Sequence, residues 1–225
     1  WLKRIEILKE DHPSLRLPDT DKLIARQVIR DISDVTDGDA TIVTGVGQHQ
    51  MWAAQHYEFK NPCSLLTSGG SGTMGYEVPA AMGAQVAKPE GTVWSIAGDG
   101  GFQMTLCELA TIVENKLPVK FAILNNGFLG MVRQWQEIFF ESSYVSTGYS
   151  GNPDFVKLAE AYDIKGIRVT DKTQVKTAIR EAMEHDGPVL IDFIVEQEEN
   201  VYPMIPSGMT VKDMIEEPSS ERVTA

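Results

Sequence analysis

Asp99 stands in a Gly98-Asp99-Gly100-Gly101 turn, and Asn126 follows further along in Asn125-Asn126-Gly127. A carboxylate and a carboxamide both offer oxygen, and oxygen ligands suit a hard divalent cation. Glycines at such a turn let an anionic ligand approach backbone N–H groups, and the start of a following helix favours negative charge. No Lys or Arg lies near residues 98–101 in sequence, and no G-x-x-x-x-G-K-[ST] pattern occurs. A polyphosphate bound here needs its charge neutralised by something else, and a metal held by Asp99 and Asn126 would do so. Either tripeptide alone also fits an ordinary turn that closes a strand. The combination of strand, glycine turn, helix, strand and Asn pair is far more specific.

Periodicity supplies the elements that position the pair. Residues 92–97 are a short apolar run that suits a buried strand. Phe102, Leu106, Leu109, Val113 and Leu117 recur at steps of three and four, which predicts one amphipathic helix ended by Pro118. Residues 119–124 are a second buried-strand run. A helix of about 15 residues rises roughly 22 Å, and about six strand residues cover roughly 20 Å. The helix therefore returns the chain to the base of the sheet. The two strands should lie parallel and adjacent, with Asp99 and Asn126 side by side at their carboxyl ends, where open α/β sheets bind ligands.

The same alternation runs through the rest of the chain. A helix is expected over residues 21–35, capped near Asp19, Thr20 or Asp21, and strands over residues 40–44 and 64–67. Helices over 153–164 and 171–185 separate strands over 166–170 and 188–195, with Asp192 at a polar edge. Residues 141–152 read as a polar loop. The fold class is α/β: a doubly wound, mostly parallel sheet with helices on both faces, forming a single domain over residues 21–196. Residues 1–20 read as a linker, and residues 197–225 as an acidic tail. At 225 residues the chain can bury a large core. A net charge of −12 argues against nucleic acid or an anionic membrane as partner. Cys63 and Cys107 read as small buried hydrophobes in a reducing cytoplasm. No run of 18 apolar residues and no signal peptide is apparent. The start at Trp1 is consistent with a fragment or a processed chain.

Two further glycine loops follow strands. Gly45-Val46-Gly47-Gln48-His49-Gln50 begins like a dinucleotide fingerprint, but Gln50 holds the place of the third glycine and no acid ends a strand about 20 residues on. Gln48 and a neutral His49 could donate to phosphate oxygens; a satisfied structural histidine is the alternative. Ser68-Gly69-Gly70-Ser71-Gly72-Thr73-Met74-Gly75 reads as a loop pressed against a ligand or another backbone, with a flexible linker as the alternative. Met74 alone would be a core filler. Met131, Val132 and Trp135 fall at helical spacing and could simply pack in the core.

These motifs resemble the thiamine diphosphate (ThDP) enzymes, and within them the acetolactate synthases, with pyruvate oxidase and glyoxylate carboligase as the nearest rivals and a Rossmann-like NAD(P) dehydrogenase domain as the alternative outside the class. The likeness rests on the GDG and NN pair, on the stretch from Leu124 to Gln136 (LNNGFLGMVRQWQ), on Gly47 to Ala54 and on Thr67 to Tyr76. It runs from about Asp37 to Ile215. The resemblance implies that ThDP and Mg²⁺ bind here. Val46, Gly47, Gln48, His49, Gly72, Gly98, Asp99, Gly100, Gly101, Asn126, Phe128, Leu129, Gly130 and Met131 would contact the cofactor. Asp99, Asn126 and the backbone carbonyl of Phe128 would hold the metal. Met74 would wedge beneath the cofactor rings and enforce their bent conformation, while Met131 and Trp135 would shape the substrate channel.

The resemblance further implies decarboxylation of pyruvate and joining of the two-carbon unit to a second 2-ketoacid, in branched-chain amino acid biosynthesis. Such enzymes take a glutamate from a pyrimidine-binding domain, usually of a neighbouring subunit, and hold FAD on another domain. Neither domain is present here, so FAD is expected only in the full-length enzyme and this chain alone should have little activity. A homodimer or tetramer, a possible regulatory subunit and a cytoplasmic setting are the further expectations. The tail could fold over the site as a lid or stay disordered. Two departures stand out: the family typically has Asp where this chain has Gly45, and Gly where it has Glu77.

Overall fold

A computed structural model of the protein describes residues 1–11 and 15–218. Its elements run α1 (Leu2–Asp11), α2 (Ala25–Val35), β1 (Thr41–Thr44), α3 (Gln48–His56), β2 (Leu65–Thr67), α4 (Glu77–Ala87) and β3 (Val93–Gly98). There follow α5 (Asp99–Gln103), α6 (Leu109–Glu114), β4 (Lys120–Asn125), α7 (Gly130–Phe139), α8 (Phe155–Ala161), β5 (Lys165–Val169), α9 (Val175–Glu184) and β6 (Val189–Ile194). The chain divides into two compact units, one of residues 20–199 and one that joins the two terminal segments. In the terminal unit, α1 buries no residue, and Met204 pairs antiparallel with Ile215. The final residues of the acidic tail, 219–225, lie outside the described residues.

The larger unit is one six-stranded sheet in the order β2-β1-β3-β4-β6-β5, with every pairing parallel. All four residues of β1 are buried, as are the first five of β3, β4 and β6, so helices cover both faces. From β1 the chain goes outward to β2 and then crosses to β3 on the other side. That reversal opens a crevice at the carboxyl ends of β1 and β3.

The expected pair of strands is there. Gly98 of β3 lies opposite Leu124 of β4, which puts the residues after each strand at one end of the sheet. The single helix expected after the glycine turn is instead broken. It starts at Asp99 itself, stops after Gln103, passes through a 3-10 turn at Leu106–Glu108 and resumes as α6. The break falls at Thr105, whose hydroxyl donates to the Gly75 carbonyl at 2.7 Å; a tertiary bond has overridden the helical period. Phe102, fully buried, fixes the short α5 by edge contacts with Phe121 and Phe155 at 5.8 and 5.9 Å. Burying such a ring contributes about 1.5–3 kcal/mol, enough to hold a one-turn helix that could not stand alone.

Three smaller expectations are corrected. Helix α2 begins at Ala25, and its first amide is met by the distant Glu199 carboxylate at 2.8 Å rather than by a local cap. Asp192 is buried, because β6 lies inside the sheet with β5 at its edge. Both cysteines are exposed and unbridged rather than buried: Cys63 sits in a turn with positive φ and Cys107 on the 3-10 turn.

Candidate functional site

At the carboxyl ends of β1, β3, β4 and β6 lies a cavity of about 350 Å³. It is lined by residues 46–52, Met74, residues 98–101, Leu124, Asn126, residues 128–132, Trp135 and Val195. Every residue singled out from the sequence is therefore brought together except Gly72. That glycine is exposed with φ +62, and none of the described residues comes within 4 Å of where its Cβ would be, so it serves the turn rather than the cavity wall. Gln50, Met51, Trp52 and Val195 also line the cavity. Helix α3 faces the cavity along its first turn, a reach that spacing alone could have suggested for Gln50 and Met51.

Asp99 starts α5 from the end of β3 and is almost wholly buried. Its Oδ2 accepts from the Gly127 amide at 2.9 Å and from Asn152 Nδ2 at 2.6 Å, while Oδ1 accepts from the Gly100 amide at 3.0 Å. The Gly127 bond spans the gap between β3 and β4, so the carboxylate reaches the residue directly after Asn126. Burial pushes the Asp99 carboxyl up to about 6, and these donors offset only part of that cost. The shift amounts to about 3 kcal/mol against the charged form, which a cation at the carboxylate would reverse.

Asn126 turns its Oδ1 to the Phe128 amide at 3.0 Å and its Nδ2 to Gln48 Oε1 at 3.4 Å. Gln48 is in turn clamped, donating to Gln134 Oε1 at 3.0 Å and to the Glu199 carbonyl at 2.9 Å. Both side-chain donors of Gln48 are thus spent inside the protein, and its side chain orients Asn126. The loop after β4 is pinned by residues 147–149: Leu129 donates to the Thr147 carbonyl at 2.8 Å, and Tyr149 to the Gly127 carbonyl at 2.9 Å.

His49 is buried, and Nε2 has no hydrogen-bond partner among the described residues. Burial pulls its pKa down to about 4, so it is neutral at physiological pH. The ring lies against Gly98 and Gly47, where an added Cβ would come within 3.0 and 3.2 Å. An unpartnered buried nitrogen in a cavity wall suits a polar ligand. Gln50 donates to Thr67 and so ties α3 to β2, in the place where a dinucleotide site would need glycine.

Glu77, the first residue of α4, is fully buried. Its carboxyl lies against Gly45: an added Cβ there would be 2.6 Å from Oε2, 2.7 Å from Cδ and 2.8 Å from Oε1. The two departures noted in the sequence therefore meet in space.

The sequence pattern of the family described as "Thiamine pyrophosphate enzyme, C-terminal TPP binding domain" matches residues 45–193, which contain nearly all of this cavity. The chain belongs to that family. The TPP-binding domain is 42% identical over 216 residues to the acetolactate synthase isozyme 2 large subunit of Escherichia coli (strain K12), covering 96% of this chain and 39% of that protein. It is 44% identical over 228 residues to the mitochondrial acetolactate synthase catalytic subunit of Saccharomyces cerevisiae, covering 99% of this chain and 33% of that protein. It is 43% identical over 215 residues to the acetolactate synthase large subunit of Lactococcus lactis, covering 96% and 37%. The TPP-binding domain thus spans about two fifths or less of the length of these relatives. The dinucleotide-binding alternative raised by Gly45-x-Gly47 gives way to this assignment. No helix among the described residues is long and apolar enough to cross a membrane.

Proposed function

We propose that this TPP-binding domain serves an acetolactate synthase catalytic subunit, binding ThDP through Mg²⁺ at the Asp99 and Asn126 end of the cavity. The observation that carries the reading is the Asp99 carboxylate bonded across the strand gap to Gly127 in a cavity that also holds Met74. Asp99, Asn126 and the Phe128 carbonyl would be the protein's ligands to the metal. Among the described residues no group of three or more His, Cys, Asp or Glu could hold a metal. Pyrophosphate and water would supply further oxygens to a Mg²⁺ held there, as is usual for this ion.

The chain's own residues divide the work. The glycines at 98, 100 and 101 leave room for side chains that close around the turn: an added Cβ would meet His49 at Gly98, Tyr149 at Gly100 and Glu77 at Gly101. Gln48 and Asn152 hold Asn126 and Asp99 in place, and His49 offers a neutral ring to the same end of the cavity. Met74, a lining residue on the glycine loop, would support the cofactor rings, and Met131 and Trp135 would bound the substrate path. When bound, ThDP supplies the nucleophilic carbon and the electron sink that decarboxylation of a 2-ketoacid requires.

Pyruvate and a second 2-ketoacid are the proposed substrates, leading toward valine and isoleucine. The activating glutamate would come from a pyrimidine-binding domain of a neighbouring subunit in a homodimer or tetramer, with a regulatory subunit and FAD as features of the whole enzyme. By itself this chain should turn over little substrate, in a cytoplasmic setting. The test is calorimetric: ThDP binding that needs Mg²⁺ and disappears in Asp99→Ala supports the reading. Metal-independent binding, or binding that survives in Asp99→Ala, overturns it.

A further inference from the structure

Glu77 is a buried acid that no step above uses. Its carboxyl oxygens have no hydrogen-bond partner of good geometry among the described residues. The amides of Gly75 and Glu77 itself offset the burial only in part. Such a group is costly unless it does something. Its surroundings show what. An added Cβ at Gly45 would fall 2.6–2.8 Å from the three carboxyl atoms, and one at Gly101 would fall 3.0 Å from Oε1. The Gly75 amide lies in the same contact, 3.7 Å from the Gly101 Cβ position. Gly75 follows Met74 and is fixed by the Thr105 hydroxyl.

One carboxyl group therefore touches three segments that each line the cavity: the loop after β1, the glycine turn after β3 and the loop that carries Met74. We propose that Glu77 is a positioning residue, a spacer that sets the distance between these segments. We further propose that positions 45 and 77 form one site for a single carboxyl group, which a side chain from either position can fill but not both. The proposal rests on the thiamine reading, since the segments it spaces are those that would hold the cofactor. The spacing is a matter of volume and shape, so a neutral isostere should serve.

The experiment uses the intact protein and four variants: Glu77→Gln, Glu77→Gly, Gly45→Asp, and Gly45→Asp with Glu77→Gly. Thermal unfolding and calorimetric ThDP affinity at saturating Mg²⁺ are both read. Glu77→Gln should bind ThDP as the parent does, within about threefold, whereas Glu77→Gly and Gly45→Asp should each weaken binding by about tenfold even where they remain folded. The double variant should recover both affinity and unfolding temperature, because the carboxyl introduced at position 45 then fills the space that Glu77 vacated. Losses that simply add in the double variant, or single variants whose affinity is unchanged while only stability falls, would overturn the proposal. If the parent itself binds no ThDP, the thiamine reading fails and the spacer role falls with it; a parent that binds beside variants that bind equally sinks the spacer alone.

Discussion

Asn152 donates one carboxamide group to two acceptors, Asp99 Oδ2 at 2.6 Å and Asn125 Oδ1 at 3.1 Å. Asn125 in turn donates to the buried Asp192 at 3.0 Å, and Asp192 accepts from Arg168 Nε at 3.2 Å. The proposed metal ligand is thereby tied to the inner strand β6 and the edge strand β5. Groups that orient a metal ligand typically matter by 10–100-fold in metal affinity. Asn152→Ala should therefore weaken Mg²⁺-dependent ThDP binding by roughly tenfold, without abolishing it as Asp99→Ala does. Titrating Mg²⁺ at fixed ThDP checks this, and an unchanged Mg²⁺ midpoint would count against the orienting role.

Glu77 makes a prediction about pH as well as shape. Burial lifts its carboxyl from 4.5 to about 7. The folded state therefore holds this proton more tightly than the unfolded chain does. Its contribution to stability is fully present below pH 4.5 and is lost as pH rises toward 7. Glu77→Gln carries no such proton. The variant and the parent should match near pH 4.5, and the variant should gain up to about 3 kcal/mol on the parent by pH 7. Denaturant unfolding of the ligand-free protein at both pH values reads the difference; a gap that is constant or that shrinks with pH rejects the assignment.

Arg26 and Glu199 form a buried ion pair at 2.5 Å, and the same carboxylate meets the first amide of α2. The Glu199 carbonyl then receives Gln48, which orients Asn126. Removing one partner of such a pair leaves a buried charge and typically costs 3–5 kcal/mol. Arg26→Met should cost roughly 3 kcal/mol in denaturant unfolding and should also weaken Mg²⁺-dependent ThDP binding, because the Glu199 carbonyl anchors Gln48. A variant that loses stability alone would show that the clamp does not reach the site.

The central pair was readable from sequence because two short-range signals coincide there: apolar runs of strand length, and glycines that neither strand nor helix would keep. Parallel pairing of consecutive strands then brings Asp99 and Asn126 to one end with no further information. The same logic failed at Thr105, where the apolar period continues but a hydroxyl bond to Gly75 breaks the helix. It also failed wherever a partner comes from far along the chain. Glu199 capping α2, Asn152 holding Asp99 and Glu77 filling the space beside Gly45 are contacts that no local pattern encodes. Asp192 was misjudged for a related reason, since strand order rather than strand sequence decides which acid is buried.

Trp135 lines the cavity from α7 yet remains about half exposed, beside the lining residues Met131 and Val132. It lies nine residues beyond Asn126 in sequence, and the side-chain bonds of Asp99 and Asn126 go to other residues. Its indole can therefore shape what enters the cavity without holding the cofactor end. In the intact enzyme, Trp135→Leu should leave Mg²⁺-dependent ThDP affinity unchanged. If the proposed function holds, it should alter the preference between pyruvate and a larger 2-ketoacid, such as 2-ketobutyrate, as second substrate by roughly fivefold, the scale expected when apolar pocket volume changes. Competition between the two ketoacids, read from the product ratio, measures the effect directly. A loss of ThDP affinity with no change in that ratio would place Trp135 at the cofactor rather than on the substrate path.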